Sequence, residues 1–184
     1  FIEGIGGGVC QVSTTLYNTV LLSDLQVSYA TRHSLPVSYV LPSRDAMVSS
    51  TNDFKFINST DNPIYIFTKS DDDIAEIYIY GQKKDCIIEL QSEVIRRIPY
   101  NNYTASGQLL NNPDGYRRLC AGKAGLVSEL YLVRDGIRER IRHDIYSPQH
   151  SLWIQIESDA VNPTELTEPY NAYYDIIDFE NVGI

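Results

Sequence analysis

Residues 6–17, GGGVCQVSTTLY, place one cysteine where a glycine-rich segment runs into a predicted helix. The glycines leave backbone N–H groups uncovered, and a helix N-terminus carries a partial positive charge that favours a thiolate over a thiol. Cys10 is therefore the leading candidate for a chemical role. A small cysteine that packs a helix against a sheet would give the same pattern, because free cysteines are usually inert and buried.

The hydrophobic pattern predicts a helix over about residues 11–23, with Leu16, Val20 and Leu21 on one side. Strand-like runs separated by Gly, Pro, Asn and Asp follow, at residues 25–31, 37–40, 46–49, 54–58, 64–68, 74–80 and 87–97. We expect an α+β fold that is predominantly β. One principal helix would begin at the Gly-Gly-Gly-Val-Cys motif and pack on a β-sheet, with an elongated all-β module after it.

The charge balance limits the partners of this chain. Its 184 residues include 15 basic and 24 acidic side chains, for a formal net charge of -9. Nucleic acid is not an expected partner, because its phosphates would be repelled. The sequence has no apolar run long enough to span a membrane. The chain starts without a methionine, so we expect a fragment, and an upstream anchor stays open.

Three sequence blocks follow one another in a characteristic order. They are GGGVCQVSTTLYNTVLLSDLQV at residues 6–27, RHSLPVSYVLPSRDAMV at residues 32–48 and DFKFINSTDNPIYI at residues 53–66. Over residues 1–84 the chain resembles the VanW family, named after an accessory protein of a vancomycin-resistance cluster. The resemblance implies an extracytoplasmic, envelope-associated or secreted bacterial protein, and it supplies no reaction. The family usually has Gly where Ser43 stands, and Ala-Gly where Ser23-Asp24 ends the helix.

A change of composition after residue 84 predicts a second part. Residues 116–157 contain Gly122, Gly125 and the Arg134-Asp135-Gly136 turn between two strands, which is similar to the G-five domain, a small extracellular β module. We therefore predict a VanW-like domain over residues 1–84, a G-five-like module over 85–158 and an acidic tail over 159–184. Cys10, Cys86 and Cys120 are an odd number of cysteines, which argues against a disulfide-built scaffold.

One hypothesis is a thiol enzyme. A thiol nucleophile needs a base within hydrogen-bond reach and a third group that orients the base. Cys10, His33 and Asp45 occur in that chain order, as in transglutaminase-like and papain-like hydrolases. An exposed or capping histidine and an aspartate that makes a turn are the simpler readings of the last two. Of the three thiols, Cys10 is expected to be the most reactive, with Cys86 buried in a strand.

Other residues of the first part could bind a ligand. Gln11 and the amides after Gly8 could form an oxyanion site, and Ser13, Thr14 and Arg44 are further candidates. Hydroxyls that bond to the helix backbone would explain the serine and the threonine equally well. His143 and His150 belong to no zinc pattern, and we predict neither a metal site nor a cofactor.

Two functions remain open. The first is a non-catalytic envelope protein that binds peptidoglycan or its precursors at the helix start, with a possible link to glycopeptide resistance. The β module would then serve as a spacer or a glycan-binding arm. The second is a cell-wall amidase, peptidase or transpeptidase that uses Cys10, His33 and Asp45. The first function is slightly favoured.

Overall fold

The computed structural model describes residues 7–71 and 74–156. Within these ranges lie one helix, α1 (Val9–Leu22), and ten strands. The strands are β1 (Gln26–Tyr29), β2 (Lys55–Ile57), β3 (Tyr65–Ser70), β4 (Ala75–Tyr80), β5 (Ile88–Ile98), β6 (Asn102–Thr104), β7 (Tyr116–Cys120), β8 (Gly125–Arg134), β9 (Ile137–Tyr146) and β10 (Ser151–Gln155). The expected α+β fold, predominantly β with one principal helix, is confirmed.

Two predicted strands are wrong. Residues 37–40 lie in a loop with bends at 38–40, and residues 46–49 contribute one isolated bridge, between Met47 and Thr31. Cys86 also lies in a bend before β5 and is half-buried, so the expectation of a strand position is wrong there. Ala46, in the second of these segments, packs instead into the buried cluster with Tyr17 and Leu130. The predicted acidic tail lies outside the described residues.

The strands form four small sheets in the described part of the chain. Strand β8 is the centre of the antiparallel sheet β5-β8-β9, and nearly all of its residues are buried. Strand β10 pairs in parallel with β6 and antiparallel with β7, and β1-β2 and β3-β4 are antiparallel pairs. Asp135 and Gly136 join β8 to β9 with φ angles of 49° and 81°, as a two-residue type I′ turn requires.

The C-terminus of α1 shows how this sequence replaces a glycine. Asp24 has a φ of 52°, Leu25 N donates to Val20 O at 3.1 Å, and Asp24 N donates to Leu21 O at 3.0 Å. These bonds are the Schellman arrangement, which usually has glycine at the left-handed position. The side chain of Asp24 accepts from Lys84 and Arg134, which ties the helix end to the segment before β5 and to β8. These ion pairs offset the cost of a non-glycine residue at positive φ.

One buried cluster links the helix to the large sheet. Tyr17 and Leu21 of α1 pack with Ala46, and with Leu130 and Leu132 of β8. Tyr17 and Leu21 lie four positions apart, so they occupy one face of the helix. This core contains residues from both sides of position 84, and the division of the chain into domains there stays a prediction.

Candidate functional site

Asp45 is the centre of the candidate site. Its side chain is 1% exposed and lies between α1 and the sheet β5-β8-β9. Oδ2 accepts from the Nδ1 of His33 and from the backbone N of His33, both at 2.7 Å. Oδ1 accepts from the hydroxyl of Tyr146 at the end of β9. One carboxylate therefore holds both the ring and the backbone of His33, whose side chain is 19% exposed.

The turn before Asp45 is made by Ser43. This residue has a φ of 64°, in the left-handed region that favours glycine. Its backbone N donates to the hydroxyl of Tyr146 at 2.8 Å, and its Oγ lies 2.6 Å from the Oγ of Ser128 on β8. Ser43 and Ser128 are both fully buried. The contacts to β8 and β9 thus support the tight turn that the resemblance assigns to glycine.

Helix α1 holds the segment that follows Asp45. The Oγ of Ser13 donates to Ala46 O, and the Oγ1 of Thr14 accepts from Ala46 N at 3.1 Å. Arg142 on β9 donates to Asp45 O at 2.6 Å. The hydroxyls of Ser13 and Thr14 are buried and bond to the backbone of Ala46, and a ligand-binding role for these two residues stays a prediction.

The other candidates lie around this centre without joining it. The Sγ of Cys10 is 3.4 Å from Val48 O, and within residues 7–71 and 74–156 no hydrogen bond joins it to His33. Arg44 Nε donates to Asn18 Oδ1 at 2.7 Å, so its guanidinium lies against the helix. Gly8 and Gln11 are exposed at the helix start, and Gln11 N donates to Gly8 O at 3.0 Å. The roles of these residues stay predictions.

Tyr39 is a site residue that sequence reasoning missed. Its ring lies 6.3 Å from that of His33, nearly perpendicular to it, and the side chain is half-exposed. Burial raises the pKa of Tyr39, the Thr14 hydroxyl lowers it, and negative charge at Cys10 or Asp45 raises it further. Cys10, Asp45 and Thr14 are therefore all within electrostatic reach of this phenol. The aromatic residue within LPVSYVLP, on the loop between His33 and Asp45, was the available signal.

The electrostatics keep Asp45 ionised and Tyr146 protonated. Burial acts to raise the pKa of Asp45, but the hydrogen bonds from His33 and Tyr146 and the charge of Arg142 outweigh it and lower this pKa. Burial, and then the charge of Asp45, raise the pKa of Tyr146. Asp45 is thus a permanent acceptor at neutral pH, and Tyr146 is a permanent donor to it.

One cleft in the described part of the chain lies elsewhere. It has a volume of about 780 Å³ and runs between β1 and β9, next to the helix end. Tyr17, Asp24 and Arg142 line it, whereas His33, Tyr39 and Asp45 do not. Among the described residues there is no group of three or more metal-ligating side chains, and no helix is long and apolar enough to cross a bilayer.

Comparison with known proteins finds a family match in the first part of the chain. Residues 1–80 match the family described as VanW like protein. A curated relative, the uncharacterized protein YoaR of Bacillus subtilis (strain 168), is 48% identical over 68 residues. That match covers 36% of this chain and 22% of the relative's length. We refer to residues 1–80 as the VanW-like region.

Among solved structures, the chain is similar to one described as the IgA1 protease G5 domain structure, with 17% identity and a TM-score of 0.24. The similarity covers 43% of this chain and all of that chain. The VanW-like resemblance noted in the sequence thus has a counterpart among known protein families.

Proposed function

We propose that this protein acts at the bacterial cell envelope, where it binds peptidoglycan or its precursors at the surface formed by His33 and Tyr39. The VanW-like region gives the setting, and a link to glycopeptide resistance rests on that family resemblance alone. The observation that carries the proposal is the fixed presentation of His33 by Asp45, through two contacts of 2.7 Å.

The fixed ring defines what His33 can bind. A carboxylate accepts from Nδ1 only when that nitrogen carries hydrogen, so Nε2 is left for a ligand. Neutral Nε2 accepts from amides and hydroxyls, and protonated Nε2 donates to carboxylates. Wall peptides and glycans offer all three groups. The half-exposed ring of Tyr39 beside His33 adds an apolar face and a hydroxyl.

The test compares two histidines that each contact a carboxylate. His33→Ala should weaken binding to purified peptidoglycan and to soluble muropeptides by about tenfold or more. The matched control is His143→Ala on β9, whose Nδ1 lies 3.1 Å from Glu129, and it should bind like the native protein. Sedimentation with intact peptidoglycan and calorimetry with muropeptides measure the two affinities. Native protein that binds neither ligand, or His33→Ala that binds normally, would overturn the proposal.

The thiol-enzyme alternative is not favoured. Cys10 contacts the Val48 carbonyl, and the hydrogen bond to His33 that a nucleophile needs is absent from the described residues. Cys10→Ser should accordingly retain muropeptide binding, and native protein should leave muropeptides uncleaved in a mass spectrum. Cleavage that disappears in Cys10→Ser would instead restore the enzyme hypothesis.

A further inference from the structure

We propose that Tyr146, on a strand outside the VanW-like region, is a positioning residue that sets the orientation of His33 through Asp45. The inference rests on the proposed function for its biological meaning. In structural terms, strand β9 belongs to the second part of the chain. It completes a surface whose ligand-facing residues belong to the first part. No sequence block of the VanW-like region contains this residue.

The hydroxyl of Tyr146 makes two hydrogen bonds at once. It donates to Asp45 Oδ1 and accepts from the backbone N of Ser43 at 2.8 Å. The same oxygen therefore fixes the carboxylate and the turn that carries it. Because the side chain of Tyr146 is only 1% exposed, bulk water does not reach these two bonds.

Strand β9 also holds the segment that carries His33. Ser147 N, one residue after β9, donates to Ser34 O at 2.9 Å. The guanidinium of Arg32 lies 5.5 Å from the centre of the Tyr146 ring and donates to His33 O at 2.8 Å. The two segments that meet in the His33–Asp45 contact are thus both attached to the end of β9.

Removal of the hydroxyl has a definite consequence for His33. Without the bond from Tyr146, Oδ1 of a buried carboxylate and the backbone N of Ser43 each lose the partner they have in the described part of the chain. The carboxylate is then free to rotate toward other donors, including the guanidinium of Arg142 close by. Rotation weakens the hydrogen bond to Nδ1 and lets the ring of His33 reorient.

The test uses the full chain and reads His33 directly. In Tyr146→Phe, the Nδ1 proton of His33 should exchange with water at least about tenfold faster, and muropeptide affinity should fall about tenfold. Imidazole ¹⁵N shifts should show the Nε2–H tautomer of His33 at the expense of the Nδ1–H tautomer. The matched control is Tyr131→Phe, which removes a hydroxyl that donates to Glu129, and it should leave every His33 signal in place.

A second variant covers the case in which Tyr146→Phe does not fold. 3-Fluorotyrosine at position 146 keeps the shape and makes the phenol a stronger donor, which draws charge from Asp45. The Nδ1 proton signal of His33 should then move upfield, and 3-fluorotyrosine at position 131 should not move it. Unchanged His33 signals in both position-146 variants would overturn the inference. Altered His33 signals in a protein that binds no wall fragment would instead reject only the proposed function.

Discussion

At the scale of single residues, Ser43 is the most informative position, because the resemblance leads us to expect glycine there. It occupies a φ of 64° that costs a residue with a Cβ about 1 kcal/mol more than it costs glycine. Its hydroxyl lies against that of Ser128 in a fully buried site. The buried hydrogen bond to Ser128 therefore offsets the backbone strain at Ser43. From the sequence alone, serine in place of glycine suggests only that a tight turn is lost.

Ser43→Ala and Ser43→Gly separate the two effects. Ser43→Ala keeps the backbone cost and leaves the Ser128 hydroxyl without a partner, so the free energy of unfolding should fall by about 1–3 kcal/mol. Ser43→Gly loses the same bond but relieves the backbone, and it should be about 1 kcal/mol more stable than Ser43→Ala. Urea unfolding gives both values. A glycine variant no more stable than the alanine variant would contradict this account of the turn.

At the scale of elements, the start of β8 has little room. A Cβ at Gly125 would lie 2.3 Å from Tyr146 O and 2.6 Å from Pro148 N, both backbone atoms. A Cβ at Gly122 would meet the ring of Tyr100 at 2.2 Å, but that side chain is 41% exposed. The two glycines look alike in sequence. They differ because the Tyr100 side chain beside Gly122 can move away, whereas the backbone atoms beside Gly125 cannot.

Gly125→Ala and Gly122→Ala form a matched pair. The first should lower the free energy of unfolding by about 3 kcal/mol, since β8 and the end of β9 must separate. The second should cost about 1 kcal/mol, since Tyr100 can rotate into solvent. Thermal or urea unfolding measures both. Because Gly125 lies against Tyr146, Gly125→Ala should also disturb the His33 signals. Equal losses of unfolding free energy at the two positions would count against the packing described for β8.

At the scale of the whole molecule, ionised carboxylates join the parts of the chain. Asp45 and Asp24 accept from groups of β9 and β8, respectively. The pKa of each carboxyl group is lowered, although burial opposes the shift. At Asp45 the hydrogen bonds from His33 and Tyr146 outweigh burial. At Asp24 those from Arg134 and Lys84 do so. Hydrogen bonds from Tyr131, His143 and Arg140 lower the pKa of Glu129 to about 2.

These shifts predict acid sensitivity. A carboxyl group whose pKa is lower in the folded state stabilises the fold above its ordinary pKa of about 4, and loses that effect as the pH falls through the folded value. The free energy of unfolding should therefore decline steadily from about pH 5 toward pH 2. Glu129→Gln should flatten this decline, whereas Glu139→Gln, at an exposed position of β9, should not. Urea unfolding at several pH values measures this decline in each variant. A decline in Glu129→Gln as steep as in the native protein would contradict the assignment of acid sensitivity to Glu129.

The sequence by itself determined the class of fold and part of the site. The glycines before Cys10, the helical spacing of Val20 and Leu21, and the Asp135-Gly136 turn are local signals, and local backbone preferences act within a few residues. They predict the single helix, most strands and the β8–β9 hairpin. The pairing of His33 with Asp45 could also be proposed, because the two residues lie 12 positions apart in one family-like block.

Only the tertiary structure decided what surrounds that pair. Tyr146 reaches Asp45 across 101 positions, and Ser128 reaches Ser43 across 85, so no periodicity or motif connects them. Residues 37–40 and 46–49 have strand-like composition, yet they lie in loops, because strand propensity alone does not supply a neighbouring strand to pair with. Local sequence fixes which backbone shapes are favourable. The choice of partner for a buried carboxylate depends on which distant strand the chain packs beside it.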